Sequence, residues 1–253
     1  MSSAPILKVS ASPTITVHLL ENSRAQPILW LLEGVQVPYK IKSYKREKTM
    51  LAPPELKTVH PLGKSPVITV GDRVIAESGL IVEYISEHFG TILIPSKWKD
   101  GCEGKVGGET EEYMRYRYYM YYCEGSLMAL LLVAFIDQSI KNSPVPFFIR
   151  FITTKITAQM NKGYLDGGFK THFGFLEEQL ASAPNGGPYL CGDKLTGADI
   201  MMGYTLVLAK GRSPLAKEEY PKLWAYVELL KESASYKRSV DKIVEVFGEY
   251  KEF

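Results

Sequence analysis

The stretch from His60 to Val82 constrains this chain more tightly than any other. Proline cannot donate to a β ladder, so Pro66 belongs at the first residue of a strand, and Ser65-Pro66 is a candidate cis bond there. Val67-Ile68-Thr69-Val70 and Arg73-Val74-Ile75-Ala76 then flank Gly71-Asp72, a pair suited to a tight hairpin. A helix begins straight afterwards, at Glu77-Ser78. This sets a carboxylate and a hydroxyl at a helix N-terminus. The helix end attracts an anion and the acidic side chain attracts an ammonium, so the place suits a small zwitterion.

Patterning on either side supplies the rest of a domain. Residues 14–19 alternate as a strand, and Asn22-Ser23-Arg24 starts a helix running through Ile28, Leu29, Leu31 and Leu32 to a C-cap at Gly34. Residues 39–44 read as a second strand. Pro53-Pro54-Glu55-Leu56 opens a short helix, with proline where its missing N–H costs little. The helix from Ser78 to about His88 sets Ile81, Tyr84, Ile85 and Phe89 on one side. The order is βαβαββα, a thioredoxin-like arrangement over residues 13–94, preceded by a flexible tail at 1–12. Residues 95–109, rich in glycine and charge, read as a linker.

Residues 110–253 carry only helical signals. One long helix is expected over 111–140, then a break at Pro144-Val145-Pro146. A second long stretch covers 147–181, loosened near Gly163 and Gly167-Gly168; its aromatic tract at 147–152 fits contact with a membrane surface, but helix core is the preferred reading. Thr196-Gly197-Ala198-Asp199 is an N-capping signature that makes Asp199 structural, and two further helices fit 218–232 and 235–247. The fold class is therefore α/β followed by all-α.

The stretch 60–82 closely resembles the glutathione-binding half of the glutathione transferases. The family pattern of a cis-proline, a following valine and then Glu-Ser-x-x-Ile is matched by Ser65-Pro66-Val67 and by Glu77-Ser78-Gly79-Leu80-Ile81. Residues 23–32 and 195–200 share the resemblance, and Asn22-Ser23-Arg24-Ala25 is similar to a fungal and bacterial cytosolic branch. The resemblance implies a thioredoxin-like domain joined to an all-helical glutathione transferase domain that holds the hydrophobic acceptor site.

Bulk properties exclude several classes. A net charge of +2 over 253 residues gives no broad attraction to nucleic acid or to an anionic membrane. The longest apolar run, around Leu127 to Ile136, is about half the length needed to cross a bilayer, so no stable membrane insertion is expected. Three cysteines, Cys102, Cys123 and Cys191, lack the pairing of a disulfide framework or a zinc site, and no metal is expected. A reducing, cytoplasmic location follows from that usage.

No cysteine precedes Cys102, so the first domain has no thiol of its own, and sulfur chemistry there needs a thiol carried by a ligand. The resemblance makes that ligand glutathione. Ser23 is the first candidate to stabilise its thiolate, with the amide of Asn22 as the alternative donor and Arg24 as a nearby cation. Ser23 equally fits simple N-capping, and Arg24 a solvated charge. His18 falls near the position where tyrosine-using branches keep their donor.

By the same resemblance, Glu77 holds the γ-glutamyl ammonium and Ser78 with its helix end takes the carboxylate. Val67, following Ser65 and Pro66, pairs with the cysteinyl backbone as a peptide adds to a sheet edge. Lys64 reaches the peptide or its glycine carboxylate, with Lys57 and His60 as weaker candidates that also fit a surface charge and a turn histidine. Residues 113–122 hold six tyrosines, of which Tyr116 and Tyr119 are taken for the acceptor cleft.

The implied activity is conjugation of the glutathione thiolate to small hydrophobic electrophiles, in detoxification, by a homodimer. Two alternatives share the site: a glutathione-dependent peroxidase or disulfide reductase, for which Asn22 leaves room, and a non-catalytic ligand-binding module. No nucleic-acid partner is expected.

Overall fold

The computed structural model describes residues 13–251; the expected tail at 1–12 lies outside the described residues. Strand β1 (Ile15–Leu20) carries Ile15, Val17 and Leu19 on one face, all buried, and so sits inside the sheet. It pairs in parallel with β2 (Tyr39–Tyr44) and antiparallel with β3 (Val67–Val70), which pairs antiparallel with β4 (Arg73–Ala76). The order is β2-β1-β3-β4. The crossover helix between β1 and β2 is α1 (Gln26–Val35), α2 (Glu55–Val59) precedes β3, and α3 (Ser78–Phe89) follows β4. The expected βαβαββα order and the cis Ser65-Pro66 bond are both present.

Two local expectations are corrected. Helix α1 begins at Gln26, after a turn through Asn22, Ser23 and Arg24, and Ala25 stands at its N-cap. Its C-cap is Gln36 in the left-handed conformation (φ 56°) rather than Gly34. The helix gains two residues because its buried stripe extends through Leu32 and holds the following turn in place.

The second half is helical. It contains α4 (Glu111–Tyr122), α5 (Met128–Lys141), α6 (Phe147–Met160), α7 (Asp166–Ala181), α8 (Gly197–Arg212), α9 (Pro221–Glu232) and α10 (Ala234–Phe247). Each expected long helix is interrupted by one wide π-helical turn, at Cys123–Leu127 and at Asn161–Leu165. A glycine falls in each of these turns, Gly125 and Gly163, where the ladder loosens most cheaply.

Taken through its π turn, the Glu111–Lys141 helix is 31 residues long and has the length and apolarity of a membrane-crossing segment. This corrects the expectation that nothing approaches that length. Its buried residues, among them Tyr119, Cys123 and Leu127, belong to the core of the helical domain, against which α8 packs.

Helix α8 starts as the capping signature requires. Thr196 Oγ1 accepts from Asp199 N–H, and the Asp199 carboxylate accepts from Thr196 N–H at 2.8 Å. The same carboxylate, fully buried, also accepts from Thr196 Oγ1–H at 2.6 Å, Tyr226 Oη–H at 2.7 Å and Leu190 N–H at 3.1 Å. It thus joins the start of α8, the loop before it and α9. Burial pushes its pKa up while these donors pull it down.

Replacing Asp199 by Ala orphans at least two buried backbone donors, each worth about 1–3 kcal/mol. The variant is expected to lose roughly 2–5 kcal/mol in urea unfolding, with unchanged turnover per folded molecule. A loss below about 1 kcal/mol would show that the carboxylate is not the joint described.

Candidate functional site

Three backbone features converge at one end of the sheet: the turn between β1 and α1, the residues ahead of β3, and the junction of β4 with α3. In the ladders Val67 stands opposite both His18 and Ala76, which brings these segments together. Ser23 Oγ lies 3.2 Å from Ser65 Oγ, and Ser65 Oγ–H donates to the His18 carbonyl at 3.2 Å. With the Ser65 hydroxyl donating to that carbonyl, Ser23 fits the serine pair as its donor. Ser23 Oγ also accepts from Ala25 N–H at 3.3 Å. It caps the turn ahead of α1 and keeps its proton directed toward the start of β3.

Glu77 connects β4 to α3 with φ 73° and ψ 120°, a backbone conformation that a non-glycine residue rarely adopts. Such strain, of order 1–3 kcal/mol, persists where the surroundings impose it and collects at functional sites. Ser78, the first residue of α3, is buried beside the exposed Glu77. Carboxylate and helix start thus stand side by side, as read from the sequence.

Arg24 departs from the reading as a free cation. Its guanidinium donates to Glu124 Oε2 at 2.5 Å, from the first domain to the π turn between α4 and α5. Burial raises the Glu124 pKa, Arg24 lowers it, and the charge of Glu77 raises it again. Arg24 and Glu124 therefore pair across the domain boundary, within the electrostatic reach of Glu77. No local sequence signal marks Glu124, because its partner is 100 residues away.

Val67 also differs from expectation. Strand β3 lies between β1 and β4, so Val67 is not on a sheet edge. Residues 64 and 65 lie outside both ladders. Lys64 is exposed. His60 Nδ1 is the acceptor for Leu62 N–H at 3.4 Å, within its own turn. Asn22, exposed and left-handed (φ 46°), offers its carbonyl to Arg46 at 2.8 Å. His18 is buried, with Nδ1 2.9 Å from Tyr44 Oη.

The two tyrosines expected in the acceptor cleft are core residues. Tyr116 and Tyr119 are 2% and 0% exposed, and Tyr119 Oη–H reaches Gln179 Oε1 at 3.4 Å. They face inward because α4 packs that face against α8. The cavity beside Asn22 and Ser23 is instead lined from the helical domain by Tyr204, Ile243, Phe247 and Tyr250. At about 20 Å³ it holds little more than one water. Ile243 and Phe247 sit one turn apart on α10, a spacing visible in the sequence, but nothing there says which domain face they close over.

Two of the protein's three thiols are shut away from the chemistry, and the third, Cys102, is partly exposed and lies in the 95–109 segment. Cys123 and Cys191 are buried, and burial pushes the Cys123 thiol up to about 12.

Residues 12–87 match the family model "Glutathione S-transferase, N-terminal domain", and residues 161–229 match "Glutathione S-transferase, C-terminal domain". The chain is 36% identical over 236 residues to Glutathione S-transferase 1 of Saccharomyces cerevisiae, covering 91% of this chain and 95% of that protein. It is 27% identical to Glutathione S-transferase 3 of Schizosaccharomyces pombe, covering 90% and 88%. Among solved structures, a glutathione S-transferase from Actinobacillus pleuropneumoniae superposes with a TM-score of 0.65 at 26% identity, covering 90% of this chain and 92% of that one. A glutathione transferase from Phanerochaete chrysosporium with oxidized glutathione shares the fold, with a TM-score of 0.65 at 16% identity over 96% and 100% of the two chains.

The Arg24–Glu124 pair is about one-third exposed on each side. A double-mutant cycle of Arg24→Ala and Glu124→Ala is expected to give a coupling of about 0.2–1 kcal/mol that shrinks with added salt. Strict additivity at low salt would remove the pair as a tie between the domains.

Burial, with a smaller push from Lys42, holds the His18 imidazole below its ordinary range, and burial does the same to His172. Both favour the neutral ring in the native state. The stability they contribute is full above about pH 6.5 and is lost as pH falls toward the depressed native values. Wild type is expected to lose more stability than His18→Gln on going from about pH 7 to pH 5.5; parallel pH profiles would refute this.

Proposed function

The chain belongs to the glutathione S-transferase family, and we propose that it joins the glutathione thiolate to electrophilic carbon on small hydrophobic acceptors, with Ser23 as the thiolate's donor. The observation that carries this reading is the meeting of Ser23 with Ser65 at 3.2 Å, where the start of α1 faces the start of β3. A free thiol has a pKa near 8.5, so a neutral-pH nucleophile needs a donor and positive potential at sulfur. The Ser23 hydroxyl can turn from its 3.2 Å contact with Ser65 toward a ligand, since the Ser65 hydroxyl keeps the His18 carbonyl as its own partner. The N-terminal end of the α1 dipole adds positive potential.

Around that sulfur, Glu77 takes the γ-glutamyl ammonium and Ser78 with the start of α3 takes the carboxylate. The backbone at Ser65, outside the ladders, is better placed than Val67 to pair with the cysteinyl unit, with Pro66 setting its direction. Lys64 and His60 are left for the glycine end. Arg24 acts through Glu124, neutralising a carboxylate that would otherwise stand against Glu77. The acceptor lies beside Ser23, where the small cavity lined by Tyr204, Phe247 and Tyr250 has to widen to admit it, and proximity to the held thiolate supplies the remaining acceleration.

A role in detoxification and a fungal or bacterial branch fit the resemblance at Asn22-Ser23-Arg24. The exposed side chains of Met114, Tyr118 and Tyr121, which follow one side of α4, support the homodimer. The exposed position of Asn22 beside Ser23 supports a second use of the same thiolate, on a peroxide or a disulfide.

Ser23→Ala removes a hydrogen bond to a charged sulfur. It is expected to raise the pKa of bound glutathione and to cut turnover roughly 10- to 100-fold. Ultraviolet titration of thiolate absorbance and the rate on an aromatic halide measure both; an unchanged pKa and rate would remove Ser23 as the donor. The same preparation assayed on a hydroperoxide and a disulfide separates the two uses.

A further inference from the structure

The hairpin of α5 and α6, joined by residues 142–146, presents an apolar and cationic tip with no role in the site described. Helix α6 is turned inside out. Its buried position is Thr157, at 3% exposed, whereas Phe147, Phe148, Phe151 and Ile152 are 86%, 66%, 63% and 54% exposed. This overturns the reading of 147–152 as helix core. The inner side is polar: Asn161 Nδ2–H donates to Asp137 of α5 at 2.8 Å and to the Thr157 carbonyl at 2.7 Å. Asp137 Oδ1 is buried with no hydrogen-bond partner among the described residues. The outward aromatic and aliphatic side chains are spread over roughly half the helix circumference at 3.6 residues per turn.

Helix α6 packs on α5 and on the π turn that follows it. Helix α5 carries apolar surface of its own, where Leu132, Phe135, Ile136 and Ile140 line a hollow of about 490 Å³. Exposed apolar side chains clustered on one helix of a folded domain mark an interaction site.

The charge along the hairpin and the π turn after it is one-sided. Between Glu124 and Asp166 the only acidic residue is Asp137, which is buried, while Lys141, Arg150, Lys155 and Lys162 are all basic. The net charge of +2 over the whole chain conceals this. Lys155 Nζ lies 4.3 Å from the Phe151 ring centroid, so cation and aromatic share one surface.

We propose that the α5–α6 hairpin seats the protein on an anionic lipid surface, with Phe147, Phe148, Phe151 and Ile152 among the headgroups and acyl chain ends, and Arg150 and Lys155 on lipid phosphates. A helix that lies in a membrane interface needs a broad apolar face interleaved with basic residues, and this one has both. At 14 residues α6 is too short to cross a bilayer and lies in its surface. Charge complementarity selects lipid over a second copy of the chain. A two-fold contact through this patch would set its cations against their own copies, with no exposed carboxylate between 125 and 165 to answer them.

The test is co-sedimentation of the full-length protein with vesicles of phosphatidylcholine alone and of phosphatidylcholine with roughly one-third phosphatidylserine. Binding is expected on the anionic vesicles, weakening with salt, and at least about 10-fold weaker on the neutral ones. Phe148→Ser with Phe151→Ser, and separately Arg150→Glu with Lys155→Glu, are each expected to lower anionic-vesicle binding about 10-fold or more. Both pairs should leave glutathione binding intact, since none of these side chains touches the site. Light scattering after gel filtration accompanies each variant. No vesicle binding by the wild type overturns the proposal, as does equal binding to neutral vesicles. A change of oligomeric state in the Phe148→Ser, Phe151→Ser variant without wild-type vesicle binding assigns the patch to contact between copies instead.

Discussion

Helix α1 is buried on nearly every side, and the position of Ser23 depends on it. All side chains from Gln26 to Leu32 are out of solvent. The Trp30 indole N–H donates to Ser235 Oγ at 3.0 Å, and its ring meets Tyr236 edge-on at 5.2 Å between centroids. Gln26 Nε2–H donates to Ser239 Oγ at 3.1 Å. On the other side of the indole is Gly203 of α8, where an added Cβ would come within 2.8 Å of Trp30 Cζ3. A buried aromatic of this size is worth about 3–5 kcal/mol against a total stability of about 5–15 kcal/mol. The first domain is thus locked to α8 and α10 by its own first helix, and the hydroxyl at the start of α1 stands where both domains place it.

Electrostatics across the same boundary follow from that lock. The π turn at Cys123–Leu127 carries Glu124 to Arg24, and Glu77 lies near enough to raise the Glu124 pKa further. A wide helical turn and a strained Glu77 are both local costs, and both occur where charged groups converge beside the candidate sulfur position. Functional sites tolerate such conflicts because the surrounding core over-determines the backbone.

The helical domain shows the opposite case at its far end. Asp199 draws α8, α9 and the loop before them into one satisfied polar node. Asp137 at the base of the α5–α6 hairpin has only Asn161 on one oxygen and nothing among the described residues on the other. One end of the domain is closed on itself. The other presents to its surroundings the side chains that a core would normally take.

Much of what neighbours a few residues away set was legible in the chain, the ends of α1 and the two π turns excepted. Pro66, Gly71-Asp72 and Glu77-Ser78 dictated strand start, hairpin and helix start, and the Thr196–Asp199 pair dictated its capping box, because dihedral preference and capping act within one turn. The approach of Ser23 to Ser65 came with the strand order that those elements allow. Periodicity also named the apolar residues of α4 and α6, but not their directions. Whether Tyr116 enters a cleft or a core, whether Phe148 faces in or out, which carboxylate meets Arg24, and which side chains close over Ser23 all depend on how helices far apart in sequence pack. An amphipathic pattern says that a face is buried or bound without saying by what, and pairings 100 residues apart, such as Arg24 with Glu124, exist only once the domains have met.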